Sequence, residues 1–226
     1  MFLPLHDRNP MRFIRFAYVT YALMAVNIAV FGLQMALHGP AGEALASALG
    51  MVPALVSGAA PPHDAPFPDQ LTLVTYAFLH VDWLHVLTNM LFLWIFGDNI
   101  EDALGHVRFI AFYLACAVAA ALAQLLSDPS SPDVLIGASG AVAGVMGAYV
   151  LLYPHARVYV LARIVIPIPL PVPAMWMLGL WIATQLLYAL IGSPEPIAWW
   201  AHLGGFVAGV LLGWLMRRRG VPLFGG

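Results

Sequence analysis

Five polar side chains in an otherwise apolar chain have the types and spacing of a hydrolytic site. Ser139 lies in "IGASGAVAGVMGAY" (136–149), His202 in "AHLGGFVAG" (201–209), and His80, His85 and Asn89 in "HVDWLHVLTNM" (80–90). A serine hydroxyl is a poor nucleophile until a base takes its proton, and histidine is the usual base near neutral pH. Attack on a carbonyl creates an oxyanion, which needs donors placed in advance. The Ser139 backbone N–H at a glycine-flanked helix start is one candidate donor. His85 and Asn89, four residues apart and so on one face of a helix, are two more. His80, five before His85, points about 140° away or sits in the entering loop. Each residue also has a plain structural reading. A serine in a span commonly bonds its own backbone four residues back, and a glycine stripe commonly only packs. Histidine in a span is costlier, and it usually lines a cavity or pairs with something.

The elements that carry these residues are membrane spans. The chain of 226 residues is 62% hydrophobic and 9% charged, with a mean hydropathy of +0.87, outside the range of soluble domains. Apolar windows of about 18 to 22 residues begin near Phe16, Val81, Phe109, Ile136, Ala174 and Ile197. They predict an all-α, polytopic bundle of six transmembrane helices over residues 16–216. A cytoplasmic N-terminal tail (1–15) and C-terminal tail (217–226) flank it. The first window is too long for a signal-peptide core and lacks a cleavage site, so it reads as an uncleaved span. All nine basic residues are arginines: Arg8, Arg12 and Arg15, Arg108, Arg157 and Arg163, and Arg217, Arg218 and Arg219. With six spans they fall on one side, whereas Glu43, Asp64, Asp69, Asp82, Asp128, Asp133 and Glu195 fall on the other. The positive-inside rule then puts both termini in the cytoplasm.

This orientation makes the second, fourth and sixth spans start from the external face. His80, His85 and Asn89 open the second, Ser139 opens the fourth, and His202 stands about five residues into the sixth, so all reach a similar depth. Gly137, Gly140, Gly144 and Gly147 form a small-residue stripe beside Ser139, and Gly205, Gly209 and Gly213 follow His202. If these faces meet, Ser139 and His202 come within reach of each other. No Asp or Glu is expected within a span, which leaves a Ser139/His202 dyad without an acidic third member. Hydrolysis further requires a wet cavity open to the outside. Between the first two spans, "EALASALGMVPALV" is too short to cross and reads as interfacial or re-entrant. "RIVIPIPLPVP" (163–173) alternates proline with aliphatics and is expected to be extended up to about Ala174. Cys116, the single cysteine, falls mid-span and can form no internal disulfide.

Three segments together, "GASG" at 137–140, "HVDWLHVLTNMLFLWIFGDNIED" at 80–102 and "AHLGGFVAG" at 201–209, resemble the signature segments of the rhomboid intramembrane serine proteases. The resemblance covers the spans in order. It implies a six-helix core that cleaves transmembrane substrates near their external ends, without metal or cofactor. On that likeness Ser139 is the nucleophile, His202 its base, and His85 and Asn89 the oxyanion donors, with His80, Gly137 and Gly140 in support. Two positions depart from the pattern. Where some members carry a Trp-Arg pair in the first external loop this chain reads "QLTLVTY", and where others carry a tyrosine four residues after the nucleophile it has Ala143.

Other chemistries fail on inventory. There is no HExxH zinc motif, and His80, Asp82 and His85 match no usual ligand spacing. A proton-relay transporter would bind its substrate nearer the midplane. The remaining rival is a non-catalytic rhomboid-like protein that binds or escorts membrane clients. The expected partners are transmembrane protein substrates and the lipid bilayer, with no nucleic acid and no metal; a bacterial plasma membrane is the expected location.

Overall fold

The computed structural model of the chain describes residues 3–37, 39–61, 67–163, 167–192 and 197–225. Asp64, Glu195 and residues 164–166, near the start of the proline-rich segment, lie outside the described residues. Among the described residues, strand β1 (Leu3–Asp7) is followed by α1 (Tyr18–Ala36), the short helices α2 (Pro40–Leu49), α3 (Pro53–Val56) and α4 (Thr72–Thr75), then α5 (Trp83–Leu104), α6 (His106–Ser127) and α7 (Ser139–Leu152). Strands β2 (Arg157–Arg163) and β3 (Pro167–Pro173) precede α8 (Ala174–Ile191) and α9 (Trp199–Met216). The chain is a polytopic helical membrane protein. Four helices, α1, α6, α8 and α9, are by themselves long and apolar enough to cross a bilayer. A fifth span arises if α5 is joined to the segment Asp69–Phe78, which meets it at 82°. The sixth expected span is α7, whose 14 residues extend only about 21 Å against a hydrocarbon core of about 30 Å. The apolar stretch between α1 and the second span forms α2 and α3, neither long enough to cross.

Helix α7 is the centre of the bundle. It is apolar on every side, as a helix enclosed by others must be, and Gly140 through Tyr149 are all buried. Its backbone lies directly against that of α9. A Cβ on Gly205 would stand 2.0 Å from the Gly140 carbonyl oxygen, one on Gly209 1.9 Å from that of Gly144, and one on Gly147 2.2 Å from that of Phe206. The two small-residue faces therefore interlock, the close approach that membrane helices use where lipid supplies no hydrophobic drive between them. Gly137 is not part of this seam, because it precedes α7 and faces elsewhere. Helix α8 is nearly the opposite of α7: only Ala174, Leu178 and Gln185 are buried along its length.

At the far end of the bundle from Ser139, carboxylates tie down the N-terminal segment. Asp102 accepts the backbone N–H groups of Arg12, Phe13 and Ile14 at 2.7 to 2.8 Å. Glu101 accepts those of Val19 and Thr20, the Thr20 hydroxyl, and a bond with the His106 ring. This corrects the expectation that spans hold no acid, since Asp98, Glu101 and Asp102 all belong to the last turns of α5. They are nonetheless remote from the polar cluster, Asp98 lying 13 residues or about 20 Å along the helix from His85. Residues 3–15 are accordingly more than a tail. Strand β1 pairs antiparallel with β2, and the Tyr149 hydroxyl donates to Asp7 at 2.5 Å. Arg218 N–H donates to the Ala103 carbonyl, the Arg108 side chain to that of Met216, and Arg8 N–H to that of Arg157. The arginine-bearing segments thus meet at one end.

The described part of the proline-rich segment, Pro167–Pro173, is extended, as its alternation requires, and forms the edge strand β3. It pairs with β2 in the register Arg157↔Pro173 to Arg163↔Pro167. Ala174, next in line, donates its N–H to Ala156, so the even-numbered residues bond inward. Pro167, Pro169, Pro171 and Pro173 turn their nitrogens to the open edge, which carries no N–H for another strand to use.

Candidate active site

Ser139 is the first residue of α7, and the chain leading to it is held by backbone bonds. Met51 and Leu135 exchange both of their hydrogen bonds, at 3.1 and 2.7 Å, Ala54 N–H donates to Ser131, and Gly137 N–H donates to the Tyr76 carbonyl at 3.0 Å. The Tyr76 hydroxyl in turn bonds the Ala117 carbonyl in α6. Gly137 has φ +130°, a conformation closed to most side chains, and a Cβ there would lie 2.7 Å from the His85 ring. The glycine therefore lets the imidazole cover the backbone just before Ser139. As the first helical residue, Ser139 contributes one of the N–H groups that a helix start leaves without an intrahelical acceptor.

From α9, His202 reaches across the glycine seam, and its Nε2 stands 2.9 Å from Ser139 Oγ. It lies in the first turn of the helix, which starts at Trp199, two residues later than the expected start. The Nδ1 of the same ring is 2.7 Å from Gln185 Oε1 in α8. The rings of Trp181 and Trp199 flank it at 5.6 and 6.3 Å between centroids. Nothing in the sequence motifs singled out Gln185. The signal was present, since an amide inside an apolar span has the same need for a partner that drew attention to the histidines.

The remaining members of the cluster come from the start of α5. Asp82 caps that helix, accepting the His85 N–H at 2.7 Å. Asn89 is buried, and one of its amide hydrogens goes to the His85 carbonyl at 3.0 Å, leaving a second N–H for another acceptor. The His80 ring packs edge-on against His85, 5.2 Å between centroids, and against Phe31. It is only 1% exposed and neither ring nitrogen has a protein partner. Its backbone is clamped by Gln34 of α1, which donates to the His80 carbonyl at 3.1 Å and accepts its N–H at 3.0 Å. Gln34 is a second polar residue that the motifs did not reveal. Gly140 is packed against Ala120 and Tyr76. Among the described residues, no group of three or more His, Cys, Asp or Glu side chains is arranged to hold a metal. The arrangement offers a hydroxyl within hydrogen-bond distance of an imidazole nitrogen, with the His85 ring close by.

A polytopic helical bundle with a serine and a histidine joined across two helices defines a class of membrane protein, and comparison with known proteins gives the family. Residues 68–219 match the Rhomboid domain, and the chain belongs to the rhomboid family. It is 29% identical over 209 residues to "Rhomboid protein 1, mitochondrial" of Saccharomyces cerevisiae, covering 88% of this chain and 54% of that one. It is 31% identical over 166 residues to "RHOMBOID-like protein 12, mitochondrial" of Arabidopsis thaliana, covering 66% and 47%. A shorter match, 38% identical over 81 residues, covers 36% of this chain and 15% of "Rhomboid protease GluP" of Bacillus subtilis. The chain thus spans about half the length of the first two relatives. Their compartments do not support the expected bacterial plasma membrane.

Proposed function

We propose that the protein is an intramembrane serine endopeptidase that hydrolyses peptide bonds of transmembrane substrates near the external membrane face. The observation that carries this reading is the 2.9 Å contact between Ser139 Oγ and His202 Nε2. Ser139 Oγ attacks the scissile carbonyl carbon as its proton passes to His202 Nε2. The resulting oxyanion takes hydrogen bonds from the Ser139 N–H and the side chains of His85 and Asn89. Collapse breaks the C–N bond, and the imidazolium returns its proton to the departing amine. Water, deprotonated by the same nitrogen, then hydrolyses the acyl-enzyme ester and restores Ser139. Neither metal nor cofactor enters any step. The tight α7–α9 seam supports this reading physically, because it holds nucleophile and base in a near-attack arrangement before substrate arrives.

The test is covalent labelling. A fluorophosphonate probe labels Ser139 of the native protein, and both Ser139→Ala and His202→Ala lose labelling and cleavage of single-span membrane substrates while remaining folded. Absence of labelling in native protein, with Ser139→Ala still binding membrane clients like the parent, establishes the client-escort reading instead. Labelling that persists in His202→Ala keeps a serine enzyme and removes His202 as its base.

A further inference from the structure

The Ser139–His202 pair works only if His202 carries its proton on the correct nitrogen. A neutral imidazole has one N–H and one bare nitrogen, and which is which follows from the partner of each. Nε2 has to be bare to take the Ser139 proton, so Nδ1 has to hold the hydrogen and needs an acceptor. In Ser-His-Asp triads a third group supplies that acceptor. Among the described residues no carboxylate bonds the His202 ring: Asp98, Glu101 and Asp102 sit in the last turns of α5, and Asp82, at its start, takes the His85 N–H. Ala143, one turn after Ser139, offers only a methyl group.

Gln185 stands where the acceptor is required, and its amide is oriented by two further contacts. Its Nε2 is 3.1 Å from the Trp181 carbonyl oxygen and 3.3 Å from Thr184 Oγ1. A carbonyl can only accept. The Thr184 hydroxyl donates its hydrogen to the same Trp181 carbonyl at 2.6 Å, so it too can only accept from Gln185. Turning the amide over would bring its oxygen against two acceptors and its NH2 towards His202, forfeiting both bonds. The oxygen therefore faces His202 Nδ1, at 2.7 Å, and since Oε1 has no hydrogen the ring nitrogen must supply it. Gln185 is 5% exposed on a helix whose other buried residues are only Ala174 and Leu178. An amide in such a position loses its solvation and needs the bonds it makes.

We infer that Gln185 is a positioning residue that holds His202 as the Nδ1–H tautomer, with Nε2 bare towards Ser139. This rests on the reading of Ser139 and His202 as nucleophile and base. The chain Thr184–Trp181 carbonyl–Gln185–His202–Ser139 then links α8 to the α7–α9 seam by hydrogen bonds, and α8 acquires a role in the site although most of its surface faces outward. As a neutral acceptor, Gln185 orients the ring while burying no additional charge.

The tautomer can be read directly, without activity. In protein labelled with ¹⁵N-histidine at about pH 8, where a free imidazole is neutral, the His202 resonances, assigned by their loss in His202→Ala, show a protonated Nδ1 and a bare Nε2. Gln185→Leu, close in volume but lacking an acceptor, gives a tautomer mixture. It lowers kcat by about tenfold to a hundredfold, a part of what general-base catalysis supplies, and leaves KM unchanged. Gln185→Glu, with one carboxyl oxygen at the same reach and the carboxyl proton directed to the Trp181 carbonyl in place of the amide NH2, recovers both the Nδ1–H form and most of the turnover. A native protein with the hydrogen on Nε2 overturns the inference even if no variant folds. So does a Gln185→Leu protein that keeps both tautomer and turnover, or a Gln185→Glu protein no better than Gln185→Leu, which assigns the residue to packing. A native protein with the Nδ1–H tautomer, shifted by Gln185→Leu but unreactive towards fluorophosphonate, upholds the positioning role and overturns the hydrolase reading.

Discussion

The smallest change that tests the architecture is a single methyl group at Gly205. A Cβ there would lie 2.0 Å from the Gly140 carbonyl oxygen, 2.8 Å from its carbonyl carbon and 3.3 Å from its Cα. These are backbone atoms of the facing helix, so no side chain can swing aside to make room. Restoring an ordinary contact of about 3.4 Å requires α7 and α9 to separate locally by about 1.4 Å. Gly140 adjoins Ser139, and Gly205 lies one turn beyond His202, so the separation is delivered at the site. Added to the present 2.9 Å, it puts Nε2 about 4.3 Å from Oγ, beyond hydrogen-bond reach. Gly205→Ala is therefore expected to cost about 1 to 3 kcal/mol of stability, as overpacking does, and to reduce fluorophosphonate labelling far more than that loss alone explains. Gly213→Ala is the control: it meets the Ala148 Cβ at 2.8 Å and sits three turns from His202, so it shares the packing cost without moving the pair. The assay is thermal unfolding in micelles beside the labelling rate of the folded fraction. Equal labelling rates for the two variants and the parent would refute the claim that the glycine seam sets the Ser139–His202 distance.

Three further outcomes follow from other parts of the molecule. Burial pushes the Asp7 carboxyl from its ordinary 3.8 up to about 6, against the Tyr149 hydrogen bond and with the charge of Asp98 adding to the rise. The folded form then holds the proton more tightly than the unfolded one, so this contribution to stability is complete below pH 3.8 and lost as pH rises through about 6. The thermal midpoint should fall from about pH 4 to 7 on this account, and Asp7→Asn should flatten that part of the profile; an identical slope in both proteins sinks the assignment. Asn89→Ala should leave KM nearly unchanged and lower kcat by about tenfold to a thousandfold, as loss of one oxyanion donor does, whereas a pure rise in KM would move Asn89 to substrate docking. Cysteine placed at exposed Ser130 should react with an impermeant thiol reagent from outside and one at Gly220 should not; the native Cys116 is buried and contributes no background. The reverse pattern would invert the orientation drawn from the arginines.

What the sequence determined by itself is the inventory. Long uncharged windows impose helices in lipid because every backbone group must be bonded within its own segment, and the arginines supplied an expected orientation. Ser139, His202, His85 and Asn89 were legible because polar side chains in such windows are few and carry a cost. The glycines showed that some backbone approach was close, but which two faces meet is a property of pairs of helices, and a single chain's periodicity names no partner. Only the folded bundle shows Gly205 against Gly140 and Gly209 against Gly144, and only it separates Gly137, which yields to the His85 ring, from the stripe it seemed to extend. Tertiary structure likewise decided the uses of Glu101 and Asp102, which accept N–H groups from residues 81 to 90 positions earlier. It also brought Gln185, 17 residues before His202, to its ring. In each case a hydrogen bond joins groups far apart in the chain, and its existence depends on a distance that helix packing sets and that local sequence does not encode.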